Sequence, residues 1–341
     1  MLKREDFYEV NQKTLDKYYQ NQKRTKKLYI YPHLNAIATA KPSAAVREYL
    51  YVEFSAYKSA FKRFLIKMYT KVVINSRGLL SSRTCKVGEE FTDDMLIYPC
   101  NKKIRIFDFA AGCVSVMGKH GFAGDGIQRE IDFRAKNKAD FIPELLSYTD
   151  EGYTERIIDG RPLARIAEHR DEYTDRALRL LRAFDNVGKS RKIADYAASL
   201  RADAEDLMQK CSEKSANLAS AAKLAAKLYD ELSASPDTIE LGFSHGDLQP
   251  GNIWVENGSE RIYIIDWESS GIRSLEYDYA ALYRGLRTAS GVEKIAESHS
   301  VTDMVILFED LIYRLTELSS LPGDIGSAEF DNYVNAVLRK R

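Results

Sequence analysis

The sequence predicts an α+β fold in which a small antiparallel sheet is followed by a mainly helical half. Two observations support this prediction. Short strand-like runs with small turns between them occur from about residue 95 to residue 158, a pattern typical of an antiparallel meander. Beyond residue 161, apolar residues recur at helical spacing over long stretches.

A helical extension is predicted ahead of the sheet. From Ala45 to Val73, apolar and aromatic residues follow one another in steps of three and four, which indicates a long amphipathic helix. The chain is therefore expected to divide into a helical N-terminal extension at 1–91, a small nucleotide-binding lobe at 92–160 and a helical lobe at 161–341, which carries the catalytic loop and binds the acceptor.

The individual elements follow from apolar periodicity and turn residues. Strands are predicted at Met95–Tyr98, Ile104–Phe109, Cys113–Met117, Leu145–Thr149 and Tyr153–Ile158, with one helix inserted at Ile127–Lys136. Later helices are predicted at Asp175–Phe184, Lys192–Leu232 with at least one break, Ser274–Arg287, Thr302–Leu321 and Ala328–Lys340.

Composition excludes several classes of protein. Of the 341 residues, 45% are hydrophobic and 29% are charged, as in an ordinary globular protein and unlike a disordered chain. The four cysteines are widely scattered, which does not fit a zinc or redox motif. The charged start MLKREDFYEV lacks a signal-peptide core, and no apolar run is long enough for a transmembrane segment. A cytoplasmic protein is expected.

The charge is unevenly distributed along the chain. Residues 1–90 hold 18 Lys+Arg against 8 Asp+Glu, whereas the remainder holds 32 against 42. The basic N-terminal part would suit peripheral contact with an anionic surface, such as a lipid or an anionic glycan. Alternatively, the two parts attract each other, or the charges are simply solvated. A nucleic-acid partner is not expected, and the oligomeric state is left open.

The segment from Asn252 to Asp266 is predicted to form a β-hairpin with its turn centred on Ser259. Val255 would then face Tyr263, and Asn252 would face Asp266, with opposed Cα atoms about 5 Å apart. The hairpin thus brings an amide oxygen and a carboxylate together. Hard oxygen ligands in this arrangement suit Mg²⁺, which completes its shell with phosphate and water.

Asp247 precedes Asn252 by five positions, in a loop that contains Gly246, Pro250 and Gly251. Protein kinases use the spacing D-x-x-x-x-N for a catalytic aspartate followed by a metal-binding asparagine. Phosphoryl transfer needs one carboxylate that orients the attacking hydroxyl and a metal that neutralises the phosphates. The sequence therefore favours a phosphotransferase.

Two motifs at this spacing, His245-Gly-Asp-Leu-Gln-Pro-Gly-Asn252 and Ile264-Ile-Asp-Trp-Glu268, resemble the aminoglycoside phosphotransferase and choline kinase family. The resemblance covers roughly residues 92–290. It implies a protein-kinase-like two-lobe fold and a small-molecule kinase that uses ATP or GTP with Mg²⁺. It also implies the roles of five residues. In those roles, Asp247 is the catalytic base, Asn252 and Asp266 are magnesium ligands, and His245 and Asp278 brace the catalytic loop; plain helix capping is equally expected of Asp278.

The resemblance extends upstream into the predicted sheet. The family has a strand-borne lysine that reaches the nucleotide phosphates and pairs with a glutamate on the next helix, and Lys119 and Glu130 occupy the matching positions. Solvated surface charges are the alternative. The segment Tyr153–Leu163 resembles the family's hinge strand, whose main chain reads the nucleobase. Glu155 and Ile157 are the expected hinge contacts.

The acceptor is the least determined part of the prediction. A sugar, glycan or aminoglycoside-like hydroxyl is the leading hypothesis, and choline or another amino alcohol is the alternative. Trp267 would either stack on such an acceptor or pack in the interior. A nucleotide-binding pseudokinase that acts as a scaffold is the rival from another class, and an ordinary protein kinase is a third possibility. The intact set of Asp247, Asn252 and Asp266 favours an active enzyme.

Overall fold

The computed structural model describes residues 4–19, 24–54, 60–122, 125–184, 189–215 and 217–341. These residues form two compact units. A sheet unit comprises the chain up to Ile127 together with Glu144–Ile157, and a helical unit comprises Gln128–Pro143 together with Ile158–Arg341. Among the described residues, no helix has both the length and the apolar character of a membrane span.

Eight strands of the described residues form one antiparallel sheet in the first unit. They are β1 (Arg24–Tyr31), β2 (Ala36–Ala38), β3 (Arg83–Gly88), β4 (Met95–Pro99), β5 (Lys103–Asp108), β6 (Cys113–Gly118), β7 (Leu145–Thr149) and β8 (Gly152–Arg156). Their order across the sheet is β3-β1-β2-β4-β5-β6-β8-β7. The unit also contains α1 (Arg4–Tyr18), α2 (Ala44–Phe54) and α3 (Ala60–Ile74), and α4 (Asp125–Lys136) follows β6.

The alternation of side chains along the strands builds the core of this unit. Ile104 and Ile106 of β5 lie two positions apart, so they share one face of the sheet. They join Met117 of β6 and Leu15 of α1 in one buried cluster. Helix α1 therefore covers this face. The predicted α+β class with a small antiparallel sheet is confirmed.

The N-terminal part contains strands that were not anticipated from the sequence. Helices were expected throughout 1–91, and α1, α2 and α3 are present, but β1, β2 and β3 also lie there. The strand signal was hidden because basic residues occupy the first half of β1, whose apolar part begins only at Leu28. The middle of the long helix predicted from Ala45 to Val73, residues 55–59, lies outside the described residues. The three-part division of the chain stays a prediction.

The second unit is mainly helical and carries two small sheets. Its further elements are β9 (Gly160–Pro162), α5 (Arg170–Phe184), β10 (Lys189–Lys192), α6 (Ile193–Lys210), α7 (Leu218–Ser233), β11 (Thr238–Ser244), β12 (Ile253–Glu256), β13 (Ile262–Ile264), β14 (Gly271–Ser274), α8 (Tyr277–Tyr283), α9 (Ala289–Glu297), α10 (Val301–Ser320) and α11 (Ser327–Lys340). One sheet has the order β10-β11-β14 and the other has the order β13-β12-β9. The largest buried cluster is formed by α6, α7 and α8 to α11.

The predicted helices are present, but α5 begins at Arg170 and not at Asp175, α8 is shorter than predicted, and α9 was not predicted. The predicted break in Lys192–Leu232 separates α6 from α7. Helix α8 ends at Tyr283, earlier than the expected Arg287, because Gly285 follows in the left-handed conformation at φ +67°. Glycine adopts this conformation readily, and it commonly terminates helices. The early end leaves Arg287 in a loop, where its side chain meets the motif residues.

Candidate active site

The motif segment is the connection between β11 and β12. β11 ends at Ser244 and β12 begins at Ile253, so residues 245–252 join the two small sheets of the helical unit. Each flanking strand is the central strand of its three-stranded sheet. Both ends of the connection are therefore fixed by main-chain hydrogen bonds on both sides.

Gly246 is the point at which the connection bends. Its φ is +82°, and a Cβ at this position would lie 2.1 Å from the carbonyl oxygen of Ser269. Only glycine fits, because any other residue would combine a strained backbone with a clash. The buried carboxylate of Asp278 accepts hydrogen bonds from the main-chain N–H groups of Gly246, at 3.2 Å, and His245, at 2.8 Å. Asp278 thus holds the bend from α8.

His245 is fully buried, and its two ring nitrogens both contact the main chain. Nε2 lies 3.0 Å from the carbonyl oxygen of Ile265, and Nδ1 accepts a 3.3 Å hydrogen bond from the N–H of Asp247. The second contact requires the proton to be on Nε2, which therefore donates to Ile265. The ring also packs on Trp267 at 4.6 Å between centroids. This geometry ties the connection to β13 and suits the structural role predicted for His245.

The carboxylate of Asp247 is oriented by three donors. Arg287 Nε donates to Oδ1 at 3.0 Å, while Gln249 Nε2 and Asn252 Nδ2 donate to Oδ2 at 3.0 and 3.3 Å. The side chain is 15% exposed. A carboxylate has about four acceptor positions. Three are filled by the protein, so the geometry leaves about one for a group that arrives from solution.

Asn252 is buried and turned so that its amide oxygen is available. Nδ2 donates both to the main-chain oxygen of Asp247, at 2.9 Å, and to the Asp247 carboxylate. Both amide hydrogens are thereby used, which fixes the orientation of the carboxamide group. Within the described part of the chain, Oδ1 has no hydrogen-bond donor. Asn252 therefore presents an oxygen in the way a metal ligand does.

The register of the hairpin differs by one residue from the prediction. Val255 faces Ile262, whereas Tyr263 was expected opposite it. The prediction was wrong because it centred the turn on Ser259. The four-residue turn is centred between Gly258 and Ser259, which moves every pair by one position.

Asn252 consequently lies opposite Ile265, and its main-chain oxygen accepts a 3.0 Å hydrogen bond from the Ile265 N–H. Asp266 is the next residue and is half-buried. It has a left-handed backbone, with φ +70° and ψ +58°, which costs about 1 kcal/mol for a residue other than glycine. Such strain is typical of functional sites. The backbone of Asp266 turns the chain out of β13 directly beside the pair that contains Asn252.

The side chains at the end of the hairpin fit a magnesium ion. Asn252 offers a carboxamide oxygen that has no hydrogen-bond donor among the described residues, and Asp266 offers a carboxylate. Mg²⁺ prefers hard oxygen ligands and usually takes only one or two carboxylates from the protein. These two residues would hold the ion, and Asp247, tied to Asn252 through two hydrogen bonds, lies next to them.

Arg287 is a candidate site residue that was not predicted from the sequence. Besides its bond to Asp247, it donates through Nη2 to the carbonyl oxygen of Gly246 at 2.7 Å and through Nη1 to the carboxylate of Asp310. Its guanidinium lies 3.8 Å from the ring centroid of Tyr313. Burial alone would lower the pKa of Arg287, but the surrounding tyrosines and carboxylates raise it well above its ordinary value. It therefore stays charged.

Asp310 anchors this arginine from α10. Its side chain is fully buried and accepts hydrogen bonds from Arg287 and, at 2.9 Å, from Arg314 Nε. The Tyr277 hydroxyl lies 3.4 Å from the same carboxylate. No local motif marks these residues, because they lie far from Asp247 in the sequence and meet only through the packing of α8 and α10.

Helix α10 also places an aromatic ring near Asp247. Burial and then the charge of Asp247 raise the pKa of the Tyr313 hydroxyl, and the charge of Glu317, one turn further along, acts in the same direction. Both side chains are partly exposed. The face of α10 that carries Tyr313 thus also carries a carboxylate.

Lys119 and Glu130 lie in different units, so their predicted pairing stays a prediction. Lys119 follows β6 in the sheet unit and is buried, and burial lowers its pKa to about 8. Glu130 lies on α4, is fully buried and accepts a 3.4 Å hydrogen bond from Arg134. The alternative interpretation was that both residues are solvated surface charges. Because both are buried, neither residue fits it.

The expected hinge residues lie at the end of β8. Glu155 pairs with Val114 on one side and with Leu145 on the other, so ladder partners flank its main chain. The N–H of Ile157 donates a 3.0 Å hydrogen bond to the carbonyl oxygen of Gly112. The hinge contacts stay predictions, and any contact made by the main chain of Ile157 would have to use its carbonyl group.

Trp267 packs in the interior. Its side chain is fully buried, and its indole N–H donates a 2.8 Å hydrogen bond to the carbonyl oxygen of Ile264. The ring stacks on Phe133 and Phe243, with centroids 4.9 and 6.1 Å away. Of the two roles considered for Trp267, the structure supports packing.

The chain is similar to several known proteins. The model of the phosphotransferase enzyme family (APH) matches residues 137–298, and the predicted resemblance to this family is confirmed. A curated relative is "Probable choline kinase 1" from Arabidopsis thaliana, 26% identical over 215 residues. That alignment covers 61% of this chain and spans 59% of the length of the relative.

Solved structures with a similar fold were also found. One is the choline kinase LicA from Streptococcus pneumoniae, at 14% identity and a TM-score of 0.46, covering 74% of this chain and 92% of that chain. Another is a thermostable mutant of the aminoglycoside phosphotransferase APH(4)-Ia in a ternary complex with ADP and hygromycin B. It shows 15% identity and a TM-score of 0.48, and covers 72% of this chain and 94% of that chain.

Proposed function

We propose that the protein transfers the γ-phosphoryl group of ATP or GTP to a hydroxyl group of a cationic small molecule, with Asp247 as the base. The observation that carries this proposal is the coordination of Asp247. Three donors fix its carboxylate, about one acceptor position is left, and Asn252 and Asp266 supply oxygen ligands beside it.

The arrangement suits an in-line displacement. The acceptor hydroxyl would donate to the remaining position on Asp247 and attack the γ-phosphorus. As the new oxygen–phosphorus bond forms, the bond to the oxygen that bridges the β- and γ-phosphates breaks, and Asp247 takes the hydroxyl proton. Arg287 holds the carboxylate in this orientation throughout.

A bound Mg²⁺ would supply the positive charge that neutralises the phosphates. Asn252 and Asp266 would hold it, because their oxygen donors fit its preference. Lys119 would contact the phosphates, supported by Glu130. The buried ammonium of Lys119, with its pKa lowered to about 8, would be stabilised when an anionic phosphate arrives.

The acceptor side favours a positively charged substrate. Tyr313 and Glu317 lie one turn apart on α10, and the Tyr313 ring packs on Arg287, which donates to Asp247. An aromatic ring and a carboxylate together attract ammonium groups through cation–π and charge interactions. Residues 91–341 carry 42 acidic against 32 basic side chains. Their net negative charge also attracts a cationic substrate.

Amino sugars and amino alcohols both carry such a charge. The aminoglycoside-like acceptor remains the first candidate, although the two motifs are common to aminoglycoside phosphotransferases and choline kinases. The amino alcohol is supported by the curated relative, whose name is that of a choline kinase. Since Trp267 is buried in the interior, it does not contribute a stacking surface to either acceptor.

The decisive variant is Asp247→Asn, which keeps the size of the side chain but not its basicity. We expect Mg-nucleotide binding within a few-fold of wild type and a fall in transfer of about 10²–10⁴-fold. Asp206→Asn, an exposed aspartate on α6, is the matched control and should transfer at the wild-type rate. Equal rates in Asp247→Asn and wild type would exclude Asp247 as the base.

A panel of acceptors separates the candidates. Choline, ethanolamine, an aminoglycoside and a neutral sugar would each be incubated with Mg-ATP or Mg-GTP, and the phosphorylated product would be detected by mass spectrometry. Turnover of a neutral sugar alone would contradict the preference for a cationic acceptor. Tight nucleotide binding without transfer to any acceptor would favour the pseudokinase alternative.

A further inference from the structure

Helix α3 exposes its apolar face. Five large side chains spaced by three and four residues share this face, namely Phe61, Phe64, Leu65, Met68 and Val72. We call them the α3 patch. Phe61 is 70% exposed, Phe64 62% and Val72 56%, although side chains of this kind are normally buried.

The opposite side of the helix makes the internal contacts. Thr70 and Ile74 are fully buried, and Val73 is nearly so. Just beyond the helix, Asn75 donates a 3.2 Å hydrogen bond to the hydroxyl of Tyr51 on α2. Helix α3 is therefore held in place by its other face, and its apolar face is directed to solvent by the fold itself.

Two further leucines extend the exposed apolar surface. Leu79 is 88% exposed and Leu80 is 55% exposed, in the turn that follows α3. Single exposed apolar residues are common, but a contiguous group of large ones marks an interaction surface. The surface formed by α3 and this turn is expected to be covered by a partner.

All the charged side chains of α3 are basic. Lys62, Arg63, Lys67 and Lys71 are exposed on the same helix. The sequence from residue 54 to residue 88 contains eight Lys and Arg and no Asp or Glu. A second copy of this chain would bring two such surfaces together, and like charges would repel each other. The charge pattern favours an anionic partner.

An amphipathic helix with an apolar face and a basic border is typical of helices that lie in the interface of a lipid bilayer. Such a helix buries its apolar side chains among the acyl chains and places Lys and Arg at the headgroups. Helix α3 has 15 residues and is therefore about 22 Å long, which suits a helix lying flat on a membrane.

We propose that α3 and the turn at Leu79-Leu80 form a peripheral docking surface for a membrane rich in anionic lipids. This proposal goes beyond the proposed phosphotransferase activity and does not depend on it. Its consequence is that the enzyme would be concentrated at a lipid surface, through residues that lie in the sheet unit and outside the candidate active site.

Sedimentation with vesicles tests the proposal. The full-length protein is mixed with vesicles of phosphatidylcholine, with or without about 30% phosphatidylserine. We expect binding to the anionic vesicles, weaker binding to the neutral ones, and a loss of binding as salt is raised, because salt screens the charges. Phe61→Ser/Phe64→Ser should lower the partition coefficient at least about tenfold.

Charge-reversal variants provide a second test in the same vesicle-binding assay. Lys67→Glu/Lys71→Glu should lower binding by about 25-fold or more, because each basic residue near an anionic surface contributes about fivefold. Two matched controls should bind within about twofold of wild type. Leu146→Ser/Tyr148→Ser removes exposed apolar side chains of the same unit, and Lys223→Glu/Lys294→Glu reverses exposed charges elsewhere.

Three results would overturn the proposal. The first is that wild-type protein fails to sediment with anionic vesicles. The second is that the control variants lose as much binding as the variants of the α3 patch. The third is that wild-type protein is a dimer in sedimentation velocity, whereas Phe61→Ser/Phe64→Ser is a monomer, and neither protein binds vesicles. This result would show that the α3 patch binds a second copy of the chain. Circular dichroism spectra verify that every variant is folded.

Discussion

Replacing Arg287 by glutamine tests whether the orientation of Asp247 matters for activity. Arg287→Gln removes the hydrogen bonds to Asp247, Gly246 and Asp310 together. Asp310, which is fully buried, is then left with Arg314 as its remaining cation. Removing one partner of a buried ion pair costs about 3–5 kcal/mol. Because Arg314 stays, we expect a loss of about 3 kcal/mol in the free energy of unfolding.

The effect on catalysis should come from geometry. Without Arg287, Oδ1 of Asp247 loses its donor, and the carboxylate is held from one side only, by Gln249 and Asn252. A displacement of about 1 Å at a reacting group costs up to about 100-fold in rate. We therefore expect kcat to fall by about 10- to 100-fold, with a much smaller change in the KM for nucleotide.

Arg314→Gln is the matched control. Arg314 also pairs with Asp310 and is similarly shielded, at 17% exposure against 14% for Arg287, but among the described residues it makes no hydrogen bond to Asp247. Both variants should lose similar stability in urea unfolding followed by circular dichroism. Only Arg287→Gln should lose turnover per folded molecule. If Arg314→Gln loses as much turnover, the contact between Arg287 and Asp247 is not what positions the base.

Three further predictions concern other residues of the site. Asn252→Ala should raise the magnesium concentration for half-maximal transfer at least about tenfold, since even groups that only orient a ligand contribute this much; an unchanged magnesium titration would contradict its role. Trp267→Ala should lower the free energy of unfolding by about 3–5 kcal/mol in urea titrations, because it empties a fully buried position; a loss below about 1 kcal/mol would refute the packing role. Because burial lowers the pKa of Lys119 from 10.5 to about 8, the unfolded chain binds more protons between these pH values, and stability should rise with pH across this window. In Lys119→Met that rise should be smaller by about 3 kcal/mol, and equal rises would show that Lys119 does not titrate as described.

The sheet between residues 95 and 157 could be predicted well because its strands alternate and are separated by clear turns. Leu145–Thr149 agrees at both ends, and the other four strands agree within about two residues. The strands β1 to β3 could not be predicted in the same way. β1 begins with Arg24-Thr-Lys-Lys and is stabilised by its long pairing with β3, a contact between segments some 50 residues apart. Such pairing depends on tertiary structure and overrides local propensity.

Part of the candidate site could likewise be predicted from local sequence. His245, Asp247 and Asn252 lie within one short connection, so their proximity follows from chain geometry alone. Arg287 could not be identified, since its contact with Asp247 depends on the early end of α8 at Gly285 and on Asp310 of another helix. The hairpin register was missed by one position because the centre of a four-residue turn lies between two residues, and the sequence does not mark it.

Because the backbone of Asp266 is left-handed, the residue that would give the highest stability at this position differs from the residue that the proposed function needs. Glycine would relax this conformation and stabilise the folded protein by about 1 kcal/mol, yet it would remove the carboxylate. Selection of random variants for heat resistance alone should therefore favour Asp266→Gly, whereas selection for turnover should always restore the acid. If Asp266 binds magnesium as proposed, the protein has a lower melting temperature than its glycine variant because this position keeps a carboxylate for catalysis.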